Sequence, residues 1–166
     1  ERGVEVANRI KVEQDLNVLS CLVLALGRMK LREYVPLVRK YARSPNDRVR
    51  ANAIECLSLM EDRSANSELI AALKDANGRV RVNAILGLRN YPGHDPHAQL
   101  SGCLDSPDPG VRRSALFGLM ELRDAIAVAW FERGLLDPDA GVRETAMEFL
   151  AILKSEGVKE ANKLYE

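Results

Sequence analysis

Two stretches of the sequence decide the fold: NDRVRANAIECL, residues 46–57, and DPGVRRSALFGL, residues 108–119. Both run from an Asn or Asp through Val-Arg to Ala and then Leu, with the same spacing between these residues. A third stretch halfway between them, NGRVRVNAILGL at 77–88, has the same order, so the pattern returns every 31 residues. Self-similarity at such a period is the signature of a repeat protein, in which each repeat is one small unit that stacks on its neighbours.

The repeat extends along the chain in columns, by which we mean positions separated by multiples of 31 residues. The main columns are Val49, Val80, Val111 and Val142; Arg50, Arg81, Arg112 and Arg143; Ala53, Ala84, Ala115 and Ala146; and Leu57, Leu88, Leu119 and Leu150. One step further back, Val18 and Leu26 keep the first and last columns, whereas Leu19 and Leu22 replace the arginine and the alanine. This register predicts about five repeats.

Each repeat contains a helix whose start and buried face can be read from the sequence. Three residues before each valine stands an Asn or Asp: Asp15, Asn46, Asn77, Asp108 and Asp139. Such side chains accept hydrogen bonds from the free N–H groups of a first helical turn. Apolar residues then fall three, seven, eight, eleven and fourteen places after the cap, on one face of an α-helix. These second helices of the repeats are predicted at 16–29, 47–61, 78–91, 109–123 and 140–154.

Shorter helices are predicted between them. Apolar pairs four residues apart are Val38 and Ala42, Leu69 and Leu73, Leu100 and Leu104, and Phe131 and Leu135. They indicate first helices of the repeats at 31–43, 65–75, 96–105 and 125–136, with an opening helix at 3–12 and a closing helix at 156–165. We therefore expect eleven helices in antiparallel order and no sheet. One hairpin cannot bury its own apolar face, so stacking is expected to form the core.

The column pattern Asn/Asp-x-x-Val-Arg-x-x-Ala-x-x-x-Leu resembles HEAT repeats. The short unit is most similar to the bacterial variety often called phycobilisome-lyase-type HEAT-like repeats, and the resemblance covers essentially the whole chain. It implies an all-α fold, a right-handed α-α superhelix (an α-solenoid) of about five 31-residue hairpins, in a single domain over residues 1–166. It implies little about function, because that family consists mostly of adaptors and scaffolds with occasional enzymes.

Charge and cysteine content bound the partners and the compartment. Lys plus Arg and Asp plus Glu both number 24, whereas a protein that wraps nucleic acid usually has a basic excess, so a nucleic-acid partner is not expected. The longest apolar run, 18–26, is too short to cross a bilayer. Cys21, Cys56 and Cys103 form no CxxC pair and are expected to be small buried side chains in a reducing, cytoplasmic compartment.

The first repeat departs from the others because its second helix has almost no polar face. The apolar residues there are Val18, Leu19, Leu22, Val23, Leu24, Ala25 and Leu26. A helix that is apolar all round is normally buried, and terminal repeats need a polar outer surface. The chain also begins at Glu1 rather than at Met. We therefore expect a piece of a longer chain, further parts of which pack against this end.

The arginine column Arg50, Arg81, Arg112 and Arg143 has two interpretations. It resembles a stripe for binding phosphate, but each arginine directly follows a core valine. The family resemblance implies a structural ladder instead, in which each guanidinium bonds Asx side chains or carbonyls of neighbouring turns. The planar fork of arginine suits that geometry, and the structural interpretation is preferred.

A candidate partner groove is predicted on the outward side of the second helices, which lines the concave side in a HEAT-like stack. The expected residues are Arg48, Arg79, Val82, Leu86, Arg113, Phe117 and Met120. Leu86 and Phe117 are one repeat apart and are both expected to point outward, with arginines as a rim. An exposed apolar patch with such a rim is typical of a protein interface. The alternative is that long neighbouring side chains cover it.

Catalytic and metal sites are not predicted. His94 and His97 flank Asp95 and Pro96, but no third or fourth ligand is evident nearby, and two helix breakers in this segment indicate a turn. No nucleophile and base pair, and no glycine-rich phosphate loop, is recognisable. We expect Gly27, Gly87 and Gly118, which lie within predicted helices, to permit close packing, and no cofactor.

The preferred function is therefore a non-catalytic scaffold or adaptor that binds a protein partner through the concave face. The alternative is a helical-repeat protein that binds nucleic acid through Arg48, Arg79, Arg89 and Arg113. A third hypothesis, a chromophore-handling protein like the phycobilin lyases, has no dedicated residues to support it.

Overall fold

The chain is built of helices. The computed structural model describes residues 1–123 and 125–158, and within these ranges there are ten α-helices, two short 3₁₀ turns and no β-strand. The α-helices are α1 (Arg2–Val12), α2 (Leu16–Arg28), α3 (Val35–Tyr41), α4 (Asp47–Met60), α5 (Asn66–Ala72), α6 (Gly78–Gly87), α7 (Pro96–Cys103), α8 (Pro109–Leu122), α9 (Ala125–Leu135) and α10 (Ala140–Ser155). The 3₁₀ turns, Arg32–Tyr34 and Arg63–Ala65, lead into α3 and α5.

These helices confirm the predicted all-α solenoid class, and the second helices are α2, α4, α6, α8 and α10. Helix α6 ends at Gly87, earlier than predicted, because the chain then enters a turn that contains Pro92 and Gly93. Of the predicted closing helix, Glu156–Val158 is not helical, and 159–165 lies outside the described residues.

The predicted N-caps explain where the second helices begin. The side chain of Asp15 accepts hydrogen bonds from the backbone N–H groups of Asn17 and Val18, and Asn46 accepts from Val49. Asn77, Asp108 and Asp139 cap α6, α8 and α10 in the same way. Each cap satisfies a donor that has no partner within the helix, which fixes the register of the columns that follow.

The helices form two compact units, one from Glu1 to His94 and one that begins at Asp95. In the first unit, α4 packs between α2 and α6, and the core includes Val23, Ile54 and Leu57. The expected role of glycine is confirmed at Gly27, where an added Cβ would lie 2.7 Å from Cα of Cys56. The backbones of α2 and α4 are thus held at a separation that a larger residue would prevent.

In the second unit, α10 packs against α8 and α9, while α7 packs against α8. Phe131, Leu116 and Leu150 are fully buried there. A Cβ added to Gly134 would lie 2.8 Å from Cβ of Ala146, so α9 and α10 approach closely at these two small residues. The sequence therefore places small residues where helices come nearest.

The apolar helix α2 is not buried on all sides. Leu19, Val23 and Leu26 are in the core, but Leu16 is exposed and Val18 is 44% exposed. Cys21 is exposed as well and Cys103 is only half-buried, so the expectation that all three cysteines are buried is wrong for these two. Only Cys56 is fully buried, and burial raises the pKa of its thiol to about 12, which makes it unreactive.

Candidate partner-binding surface

The arginine column is bonded to the turns between helices. In all four arginines, one terminal guanidinium nitrogen donates to a backbone carbonyl six residues earlier, at 2.7–2.8 Å. The acceptors are Ser44, Asp75, Ser106 and Asp137. This position precedes the N-cap by two residues, so each arginine fastens its own helix to the turn that introduces it.

Two of these arginines also form bidentate ion pairs with the next hairpin. Nε and one terminal nitrogen of Arg50 lie 2.7 and 2.9 Å from the two carboxylate oxygens of Asp75. For Arg112 and Asp137 both distances are 2.7 Å. These hydrogen bonds are the main cause of the lowered pKa values of the two aspartates, because they favour the charged carboxylate.

Arg81 differs from Arg50 and Arg112. Its described bond goes to the Asp75 carbonyl of its own turn rather than to an adjacent hairpin. The residue 25 positions after Arg50 or Arg112 is an aspartate, but 25 positions after Arg81 stands Ser106, which carries no charge. A bidentate pair with the next hairpin therefore forms where this column holds an aspartate, at Asp75 and Asp137, and not where it holds Ser106.

We call the outward side of the second helices the second-helix face. In the first unit this face is mainly polar. Arg48 donates to Oδ1 of Asn17 at 3.0 Å. Arg79 donates to Oδ1 of Asn52 at 2.8 Å and lies 3.2 Å from the carboxylate of Glu55. Leu86 is half-buried. These two arginines thus bond to side chains of the same chain and do not form a stripe of unpaired positive charge.

Val82 was expected on this face, and that prediction is wrong because it is only 4% exposed. Its column equivalents Ser20 and Ala51 accept hydrogen bonds, through their carbonyls, from the Asn side chains of the next second helix. In the first unit this column therefore lies at the contacts of α4 with α2 and of α6 with α4.

In the second unit the second-helix face is apolar at its centre. Phe117 is 55% exposed, and its ring meets that of Phe149 edge to face at a centroid distance of 4.9 Å. Phe149 in turn contacts the buried ring of Phe131 at 5.8 Å. Phe117 is thus fixed by a stack of aromatic rings while half of its surface remains in solvent.

Charges of both signs flank Phe117. On α8, Arg113 lies one turn before it and Glu121 one turn after it, and both are exposed. On α10, Glu144 and Glu148 are exposed. The guanidinium of Arg113 occupies the space beside Gly141, where a Cβ would lie 3.2 Å from it. The rim is therefore mixed and locally acidic rather than made of arginines.

Met120 was also expected on this face, and that prediction is wrong because it is 7% exposed. It shares a column with Gly27 and Ser58, at which the next second helix approaches most closely.

A family model of HEAT repeats matches residues 6–89, 35–103 and 98–164. The chain belongs to the HEAT-repeat family. Among solved structures it is similar to an engineered protein at 16% sequence identity, over 90% of this chain and 79% of that one, with a TM-score of 0.45. None of the curated proteins compared matches it.

In these HEAT repeats, sequence reasoning missed the role of Phe149. It stands in the column of Cys56, Gly87 and Gly118, where the earlier residues are small. This change from small residues to a large aromatic one was the signal in the sequence that Phe149 has a different role. Its ring packs against that of Phe117.

The column of Asn52 and Asn83 has a structural role in the HEAT stack. Asn52 Nδ2 donates to the carbonyl of Ser20 at 2.9 Å, and Asn83 Nδ2 donates to that of Ala51 at 3.0 Å. Each bond joins consecutive second helices of the first unit. Arg79 extends this chain of bonds through Oδ1 of Asn52.

The histidine segment contains the predicted turn. Asp95 caps α7 by accepting from the backbone N–H of Ala98 at 3.1 Å, and the rings of Tyr91 and His94 lie 5.6 Å apart. Across residues 1–123 and 125–158, no group of three or more His, Cys, Asp or Glu side chains could hold a metal ion. Within the same part of the chain, no helix is long and apolar enough to cross a membrane.

Proposed function

We propose that this HEAT-repeat chain is a non-catalytic scaffold that binds a protein partner through the second-helix face of its second unit, with Phe117 as the anchor. The observation that carries the proposal is the exposure of this ring. A phenylalanine held half in solvent by two further aromatic rings gives up little conformational freedom when a partner covers it. Aromatic residues of this kind supply much of the binding energy at protein interfaces.

The charges around Phe117 support a protein rather than a nucleic acid. Glu121, Glu144 and Glu148 are exposed on the same two helices and would repel phosphate. Of the four arginines named for the nucleic-acid alternative, Arg48 and Arg79 are bonded to side chains of the first unit. The proposed partner presents an apolar side chain to Phe117 and polar or basic groups around it, and Arg113 belongs to the proposed surface at its edge.

Site-specific photocrosslinking tests this proposal. A photoreactive phenylalanine analogue is placed at Phe117 and, as a control, at Ile70, an exposed apolar residue on the first helix α5. Crosslinking is carried out in cells of the source, and the products are identified by mass spectrometry. We expect a protein adduct from position 117 that is absent from position 70. Equal adducts at both positions, or RNA and DNA adducts at 117 in place of protein, would contradict the proposal.

A further inference from the structure

Two exposed carboxylates accompany the anchor ring on the second-helix face of the second unit. Glu121 follows Phe117 by one turn on α8, which places it about 6 Å further along the helix axis. Glu148 is exposed on α10 and directly precedes Phe149, whose ring contacts that of Phe117. Each of the two helices that hold the ring thus carries an acidic side chain next to it.

The position of Glu148 faces outward in the earlier repeats as well. Its column equivalents Leu24, Glu55 and Leu86 are half-buried, and Phe117 in the same column is exposed, so none of them lies in the core. The outward direction of this column is therefore a property of the repeat and not of the place of α10 in the chain.

In the part of the chain that the structure describes, no cationic group forms an ion pair with Glu121 or Glu148. The first unit differs in this respect, because Glu55, the column equivalent of Glu148, pairs with Arg79 at 3.2 Å. Among the described residues, the carboxylates of Glu121 and Glu148 therefore keep their capacity to pair with a cation of a partner.

Arg113 gives this surface a direction. It lies one turn before Phe117 on α8, whereas Glu121 lies one turn after it, so charges of opposite sign stand on either side of the ring along the helix. A cationic group of a partner is repelled at the first end and attracted at the second. Since one helical turn is shorter than the screening distance at physiological salt, this sign pattern selects the partner and orients it.

We propose that the segment which docks on Phe117 is a basic peptide, in which one apolar side chain covers the ring and Lys or Arg side chains pair with Glu121 and Glu148. This inference rests on the proposed function, since it names the partner of the same surface. The step of about 6 Å from Phe117 to Glu121 corresponds to about four residues of a helix or two of an extended strand. The partner therefore carries a cationic residue at one of these two spacings from its apolar residue.

Selection from two libraries of displayed short peptides tests the proposal. Both libraries have a fixed central leucine, and the flanking positions hold Lys or Ala in the basic library and Glu or Ala in the acidic library. We expect the wild-type chain to enrich the basic library at least about fivefold over the acidic one, because two exposed ion pairs are exchanged for two repulsions. Raising the salt concentration from about 0.05 M to about 0.5 M should reduce this preference, since exposed charges are then screened.

Charge reversal supplies the matched variants. The double variant Glu121→Lys, Glu148→Lys should prefer the acidic library. The control Glu5→Lys, Glu132→Lys makes the same change of net charge at two exposed residues of α1 and α9, and it should behave like the wild type. Phe117→Ala should enrich neither library. Helix content and melting temperature are measured first to show that each variant is folded.

The outcomes separate this inference from the proposed function. If Phe117→Ala loses binding but the wild type enriches both libraries equally, or prefers the acidic one, the ring is an anchor and the basic partner is wrong. If Phe117→Ala enriches the basic library as strongly as the wild type does, the proposed anchor is wrong and this inference is overturned with it. A wild type that enriches neither library would also overturn the inference, as would a Glu121→Lys, Glu148→Lys variant that still prefers the basic library.

Discussion

Arg112 and Asp137 are joined by two parallel hydrogen bonds of 2.7 Å, although they are 25 residues apart and belong to different helical hairpins. Both side chains are nearly inaccessible to solvent. The same pair recurs at Arg50 and Asp75 but has no counterpart at Arg81, because Ser106 stands where the aspartate would be. The interior arginines therefore differ in what they contribute to the fold.

Replacing Arg112 by Ala should lower the free energy of unfolding by about 1–3 kcal/mol, the range for leaving a buried polar partner unsatisfied. Arg81→Ala should cost less, since its described bond is to a single backbone carbonyl, that of the half-buried Asp75, and not to a carboxylate. Urea unfolding followed by circular dichroism measures both. Equal losses would show that the carboxylate pair adds nothing to the carbonyl contact.

The stability of the chain should fall in acid because of Asp75 and Asp137. Hydrogen bonds from Arg50 and Arg112 lower their folded pKa values below the unfolded value of about 3.9. Stability from a lowered pKa is fully present above the unfolded value and is lost as the pH falls through the folded value. Urea midpoints measured from neutral pH downward should therefore drop mainly below about pH 4. In the double variant Asp75→Asn, Asp137→Asn this drop should be smaller, and an unchanged drop would assign it to other carboxylates.

Gly27 and Gly102 should respond in opposite directions to alanine. A Cβ at Gly27 would meet backbone and side-chain atoms of Cys56 at 2.7–3.0 Å, so Gly27→Ala should destabilise by about 1–3 kcal/mol through overpacking. At Gly102, on α7, nothing lies within 4 Å, and alanine should stabilise by up to about 1 kcal/mol through helix propensity. Thermal unfolding of the two variants measures the contrast. A neutral Gly27→Ala would mean that α2 and α4 separate without cost.

The features that local physics determines were predictable from the sequence. Asn46 and Asp108 mark the starts of helices because their side chains cap the first turn. Val49, Val80, Val111 and Val142 lie in the core because a helix has a fixed period, which places them on its buried face. These rules concern residues close in the chain, so no knowledge of neighbouring helices was needed.

The surface was less predictable because it depends on how consecutive helices are offset. Gly27 faces Cys56 and Ser58 faces Gly87, each 29 positions apart, whereas the bond from Asn52 to the Ser20 carbonyl spans 32 positions, so these contacts join residues of different columns. A column viewed on one helix alone does not show this offset. Val82 and Met120 were therefore expected in solvent although both are buried, whereas Phe117 was correctly expected to be exposed.

The central claim is that Phe117 belongs to a binding surface and not to the core, and the affinity of Phe117→Ala for the crosslinked partner tests it most directly. Titration calorimetry would compare the wild type, Phe117→Ala and the control Ile70→Ala, after thermal unfolding has shown that all three are folded. We predict a nearly unchanged melting temperature and a dissociation constant raised at least about tenfold for Phe117→Ala only. An unchanged dissociation constant, or a Phe117→Ala variant that is unfolded, would contradict the account.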